Sequence, residues 1–279
     1  MSILYHYPPS PHSGAVFADI QSANVVGYQL QDLTGKQCNS VGITFITVGE
    51  AKTFRLGDIK VEGFNYNNEI LQVLSTENAS TIEKYVYITP EWDEEDFDGD
   101  GAAVGWWLKN GDEGYEDDGG VRADNKVFDA NQGFLGNFVK KSVKFTYSGQ
   151  VISGKTELDF SGKQCNMIAN FLPRNVKFGE IECTGFNYNN EILQKLSTEN
   201  ASTIEKYVYI TPEWDEEDFD GDGAAVGWWL KNGDEGYEDD GGVRIDNEVW
   251  PSGQSFLGNF VKKSVKLTFP DPLTTPKAE

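Results

Sequence analysis

Histidine is nearly missing from this chain, which holds two in 279 residues, His6 and His12, both close to its start. No Ser-His-Asp triad, His acid–base pair or His-ligated metal site can therefore be built in the body of the protein. Cysteine is scarce as well, at three, and Cys38 and Cys165 have no histidine to activate them as nucleophiles. Positive charge is outweighed: 23 Lys and Arg stand against 45 Asp and Glu, a formal net charge of −22. That balance excludes a surface built for nucleic acid or an anionic membrane, because exposed carboxylates repel phosphate. No apolar run approaches the roughly 20 residues that span a bilayer, so membrane insertion is not expected. Met1 to Gly14 is too polar and Pro-rich for the core of a signal peptide. Gly-rich turns occur, but none follows a strand and opens a helix as a phosphate cradle does.

What the chain does have is a repeat. Gly63 to Lys144 recurs at Gly185 to Lys266 without a gap, with eight substitutions: Val73/Lys195, Ala123/Ile245, Lys126/Glu248, Phe128/Trp250, Asp129/Pro251, Ala130/Ser252, Asn131/Gly253 and Gly133/Ser255. Six of them fall between residues 126 and 133, so one loop or strand edge varies while the scaffold does not. The offset of 122 residues divides the chain into two units, each large enough to close a core. The expected organisation is an extended arm at 1–14, a first module at 15–149, a second at 150–270 and a tail at 271–279. Gly35-Lys36-Gln37-Cys38-Asn39 returns as Gly162-Lys163-Gln164-Cys165-Asn166, whereas Cys183 aligns with Val61. The valine at the matching place marks these cysteines as small core residues; the alternative is a Cys165–Cys183 bridge confined to the second module.

Short runs of β-branched and aromatic residues punctuated by Gly, Asn and Asp predict strands and turns, with no helix. Strands are expected at Val25–Leu33, Val41–Val48, Thr53–Phe64, Ile70–Ser75, Thr81–Thr89, Ala103–Lys109, Val121–Phe128, Phe134–Val139 and Val143–Tyr147. Tyr85-Val86-Tyr87-Ile88 is apolar on both faces, as in a central strand. The fold class is all-β, two tandem antiparallel sandwiches of immunoglobulin-like or jelly-roll-like form. Ser148-Gly149-Gln150 is a short junction without a flexible linker, which predicts a fixed, end-to-end pair suited to a stalk.

Asp96-Phe97-Asp98-Gly99-Asp100-Gly101, repeated as Asp218-Phe219-Asp220-Gly221-Asp222-Gly223, has the alternating carboxylates and glycine of the opening half of a calcium loop, whose oxygens sit at about 2.3–2.6 Å from the ion. Asp96, Asp98, Asp100, Asp218, Asp220 and Asp222 are the candidate ligands. Trp107 and Trp229 stand where the bidentate glutamate belongs, so the segment is no EF-hand. Trp106 and Trp107 lie adjacent on a strand, so one should face outward unless a loop covers it. Trp92, Trp107 and Tyr115, with Trp214, Trp229 and Tyr237, are candidates to stack on a sugar ring; the alternative is a small second core beneath the acidic loop. The arm offers Tyr5, Tyr7, Phe17 and Ile20 as a strand donated to a neighbouring subunit.

Asn24-Val25-Val26-Gly27-Tyr28, Gly35-Lys36, Leu56-Gly57-Asp58-Ile59, Asp100-Gly101-Ala102-Ala103-Val104-Gly105-Trp106-Trp107, Phe134-Leu135-Gly136 and Ser148-Gly149-Gln150-Val151 resemble uncharacterised β-rich modules of secreted, tandem-repeat bacterial cell-surface proteins. The second module departs from that pattern in beginning Val151-Ile152-Ser153-Gly154. The resemblance implies a structural or adhesive role outside the cell and brings no catalytic residues with it. A non-enzymatic subunit of a surface fibre, pilus-like filament or layer, self-associating into a homopolymer, is the expected function. A calcium-supported carbohydrate-binding adhesin and a virion or phage tail structural protein are the alternatives, and a glycoside hydrolase comes last.

Overall fold

The computed structural model describes residues 26–33, 39–49, 52–74, 82–109, 120–138, 143–160, 165–196, 204–231, 242–260 and 265–274. The first copy contains β1 (Val26–Leu33), β2 (Asn39–Gly42), β3 (Thr53–Arg55), β4 (Lys60–Glu62), β5 (Ile70–Leu74) and β6 (Ile82–Ile88). Helix α1 (Pro90–Asp96) follows, then β7 (Gly105–Leu108), β8 (Val121–Arg122), β9 (Val127–Asp129), β10 (Gly133–Asn137) and β11 (Val143–Gln150). The second copy repeats the series as β12 (Thr156–Asp159), β13 (Asn166–Ala169), β14 (Val176–Lys177), β15 (Glu182–Thr184), β16 (Ile192–Leu196) and β17 (Ile204–Ile210). It ends with α2 (Pro212–Asp218), β18 (Gly227–Leu230), β19 (Val243–Arg244), β20 (Val249–Trp250), β21 (Ser255–Asn259) and β22 (Lys266–Phe269).

The chain is all-β with antiparallel pairing, and its sheets come in duplicate. A six-stranded sheet β2-β10-β5-β6-β7-β8, a three-stranded sheet β1-β11-β4 and a pair β3-β9 recur as β13-β21-β16-β17-β18-β19, β12-β22-β15 and β14-β20. Strand β6 is central, flanked by β5 and β7, and its Tyr85, Val86 and Ile88 are buried as their two-sided apolar character requires. Each copy has its own aromatic-rich core, with Phe64, Trp106, Phe138 and Phe145 in edge-on contact in the first and Trp250 against Phe256 at 4.5 Å in the second.

Several expectations are corrected. Two helices exist where none was expected, at Pro90–Asp96 and Pro212–Asp218. The run expected as one strand over Thr53–Phe64 is broken by a 3₁₀ turn at Leu56–Asp58, because Leu56 and Gly57 donate sideways to the carbonyls of Lys126 and Asp124. Val121–Phe128 is likewise two strands, β8 joining β7 and β9 joining β3. Cys165 and Cys183 are both free thiols, so the bridge does not form; Cys183 is buried in the core beside Ile181, and burial pushes its thiol well above the ordinary range. Cys38 and the arm with Tyr5, Tyr7, Phe17 and Ile20 lie outside the described residues.

The two copies do not meet only at the junction. Strand β11 runs through the expected boundary at 149/150 as far as Gln150; Val151 then packs in the first core and Ile152 in the second. Beyond it, the copies touch along β2 and β10 on one side and β13 and β21 on the other. Gly42 N–H donates to Gly253 O at 2.7 Å, and Ala169 N–H donates to Asn131 O at 2.9 Å. These bonds are images of each other: Ala169 follows Gly42 by the 127 residues that separate Cys38 from Cys165, and Gly253 follows Asn131 by the 122 of the main repeat. Contacts between equivalents lie on the two-fold relating the copies. There a Cβ on Gly42 would overlap that of Ala169, and a Cβ on Gly133 would overlap that of Ser255. Ile46 and Ala130 of the first copy complete the core of the second. The end-to-end arrangement is thus replaced by a two-fold-like pair whose backbones are hydrogen-bonded to each other.

Burial also gives the core a pH signature. Tyr85, Tyr147 and Tyr207 have their hydroxyls pushed far above the ordinary 10.0 by burial, and Tyr209 is pushed up to about 12. A folded pKa above the unfolded one contributes stability that is complete below pH 10 and is lost as pH rises through 10 to 12. Alkaline titration should therefore show the last tyrosinate absorbance appearing together with the change in tryptophan emission that reports unfolding, and not ahead of it.

Candidate functional site

The acidic segment is ordered by one carboxylate that the alternating-Asp pattern did not single out. Thr89 caps α1, accepting from Trp92 N–H at 3.4 Å, and Pro90 at the first helical position has no N–H to leave unpaired. One turn in, Asp93 is 2% exposed. Its side chain accepts from Gly101 N–H at 2.8 Å and Ala103 N–H at 3.2 Å, and its carbonyl accepts from Phe97 and Gly99. Gly99 and Gly101 hold φ of +68° and +82°, the left-handed conformations this tight return needs. Asp215 does the same for Gly223 at 2.8 Å and Ala225 at 3.2 Å.

The sequence-predicted ligands are dispersed among other tasks. Asp96 accepts from Tyr66 O–H at 3.0 Å, as Asp218 does from Tyr188 at 3.0 Å. Asp100 and Asp222 each accept the N–H two residues on, Ala102 and Ala224, at 2.8 Å. Asp98 and Asp220 are exposed. Among the described residues, no group of three or more His, Cys, Asp or Glu side chains is placed to hold a metal ion. Glu91, Glu94 and Glu95 line the exposed side of α1.

The aromatic candidates fare differently from one another. Trp107 and Trp229 are 5% and 4% exposed, so the expected outward tryptophan is covered. The cover is local: the Trp107 indole N–H donates to Ala103 O at 2.8 Å, and the Arg122 guanidinium lies 5.1 Å from the ring centre. Trp229 has the same cover from Ala225 O at 2.9 Å and Arg244 at 5.6 Å. Trp92 is half-buried, donating to Phe64 O at 3.0 Å and packing edge-on against Tyr66 at 5.8 Å; Phe97 lies 5.7 Å from that tyrosine. Trp214, Tyr188 and Phe219 repeat the cluster. The small second core beneath the loop is therefore present. Tyr115 and Tyr237 lie outside the described residues.

Arg122 and Arg244 are the partners that sequence reasoning missed. Arg244 donates to Ala224 O at 2.6 Å, to Val226 O at 2.5 Å and to the Asp246 carboxylate, which in turn accepts from Trp228 N–H at 2.9 Å. Arg122 ties Ala102, Val104 and Asp124 in the same way. Their signal was the pentapeptide Val-Arg-x-Asp-Asn, kept in both copies at 121–125 and 243–247. In the second copy this clamp forms the wall of a 380 Å³ cavity with Lys177, Glu180 and Tyr209. Its arginine and aspartate are already engaged with backbone and with each other, so the cavity offers them as scaffold and not as free reacting groups.

Among the described residues no helix is long and apolar enough to cross a membrane. Comparison with protein-family models, curated proteins and solved structures gave no match.

Proposed function

We propose that this chain is a non-enzymatic structural protein, the subunit of an extracellular or cell-surface fibre, pilus-like filament or layer, built on the module type that its sequence resembles. The observation that carries the reading is the paired backbone bonding of the copies, Gly42 to Gly253 and Ala169 to Asn131, which fixes two duplicate bodies as one stiff block. A load-bearing or multivalent unit gains from such locking. The acidic loops agree with this role, since Asp93, Asp96 and Asp100 brace the fold around them. Negative-stain imaging of the purified protein tests the reading. Filaments, sheets or higher oligomers are expected, with assembly lost when residues 1–20 are removed, and a monodisperse monomer at high concentration contradicts it.

The adhesin alternative draws less support, because cover over Trp107 and Trp229 leaves half-buried Trp92 and Trp214 as its described stacking surfaces. Calcium belongs to that alternative. If the loops bind it, calcium at about a hundred times its Kd adds about 2.7 kcal/mol of stability that a chelator removes. A glycan array probed with and without the chelator, silent in both arms, rejects the adhesin.

A further inference from the structure

The two copies differ in surface chemistry at the outer strand of the three-stranded sheet. Among the described residues, strand β1 is paired on one side, to β11, over its full eight residues. Its inner face is committed to the body: Gln29 accepts from Tyr147 O–H at 2.8 Å, and Gln31 reaches across the boundary between the copies to Gly253 O at 3.2 Å. Its outer face shows Val26, Tyr28 and Leu30 to solvent at 62%, 61% and 52% exposure, a stripe at every second residue. At the same places the second copy has Ser153, Lys155 and Glu157. There Lys155 pairs with Glu182 at 2.6 Å, and Lys266 pairs with Glu157 at 2.8 Å. One edge is guarded by charge, as edge strands of monomeric proteins are, and its twin is not.

We propose that β1 is a self-association surface that pairs with β1 of a second copy of this chain, antiparallel and two-fold, continuing the sheet from one molecule into the next. This rests on the assembly proposed above and names the contact within it. The occupant follows from charge. A body of net charge −22 repels its own kind over most of its surface, and β1 carries a single charged side chain, Asp32, which faces Lys144 on β11. An antiparallel register centred on Gln29 sets Tyr28 against the partner's Leu30 and Asp32 against the partner's Val26, so no carboxylate meets another. The surface is also continuous with the internal boundary, through Gln31, so a joint made here is backed by the stiff pair. Because the guarded edge of the second copy has no such stripe, β1 contributes one closed two-fold joint per molecule and extension of a polymer falls to other contacts.

The test compares the full-length protein with the Tyr28→Lys/Leu30→Lys double variant and with Val26→Lys by sedimentation, alongside hydrogen exchange of residues 26–33 at low and high protein concentration. These side chains are exposed, so folding should survive, and tryptophan emission checks it. The double substitution at 28 and 30 brings lysines face to face in the two-fold contact and should weaken association by about tenfold or more, with the concentration-dependent protection of β1 lost, whereas Val26→Lys sets an ammonium against the partner's Asp32 and should leave association intact or tighten it. If the parent self-associates while the double variant matches it in affinity and protection, the β1 joint is wrong and the structural reading survives. If the parent stays at the 31.0 kDa monomer mass at every concentration, both fall.

Discussion

Gly133→Ser is expected to destabilise the whole protein, and adding Ser255→Gly to it is expected to restore most of the loss. Residues 133 and 255 are equivalents facing each other where the copies meet, and a Cβ placed on Gly133 would overlap the Cβ of Ser255. One side chain fits between the two strands and two do not. Overpacking of this kind costs about 1–3 kcal/mol, which lowers Tm by roughly 2–4 °C per kcal/mol for a body of this size. Ser255→Gly alone should cost less, through loss of the 3.2 Å hydrogen bond from its hydroxyl to Phe134 O. In the double variant the serine changes sides and the overlap disappears, so the two effects should fail to add, with a coupling of about 0.5–3 kcal/mol in the stabilising direction. Thermal unfolding of the four proteins measures it; simple additivity would mean that the strands do not touch there.

Asp93→Ala should unhinge the acidic loop of the first copy while leaving the second in place. The lost carboxylate is buried and accepts two backbone N–H groups. Hydrogen bonds to charged groups are worth about 1.5–3 kcal/mol each, so a loss of about 3 kcal/mol is expected. Asp93→Asn keeps one good acceptor and should lose roughly half of that. Asp98→Asn, on an exposed side chain of the same loop, should change stability by no more than about 0.5 kcal/mol. Trp107 emission should redden in Asp93→Ala, since its indole donates to Ala103, one of the residues that Asp93 holds. Equal effects from Asp93 and Asp98 would remove Asp93 from its place as the organiser.

Much of the scaffold was legible in the residues. Alternation and β-branching located the strands, and the two-sided apolar run Tyr85 to Ile88 identified a central one. The helices were missed because each is only seven residues long and its acidic run reads as a solvated loop. The signal lay in Thr89-Pro90 and Thr211-Pro212, a capping residue followed by proline at the first helical position. Trp107 stood as a stacking candidate because strand alternation describes one strand, whereas its cover comes from Arg122 on the next and from the loop that Asp93 folds back. The candidate calcium aspartates share a segment, yet helix geometry and the turn send them to different partners.

The six clustered substitutions carry the strongest sequence clue to how the copies meet. They suggested a variable loop or edge, and several of them lie where the copies contact each other. At a two-fold, equivalent residues face each other, so serine at both 133 and 255 would collide, and the carbonyls of Asn131 and Gly253 accept from the N–H groups of Ala169 and Gly42. A repeat alignment shows which positions diverge. Only the fold shows that they meet.

Scanning calorimetry of the intact chain examines the locked pair most directly. If the copies form one stiff block, they melt together in a single transition whose calorimetric and van't Hoff enthalpies agree. Two separate transitions, or a calorimetric enthalpy about twice the van't Hoff value, would show two independent bodies on a tether and would contradict the account.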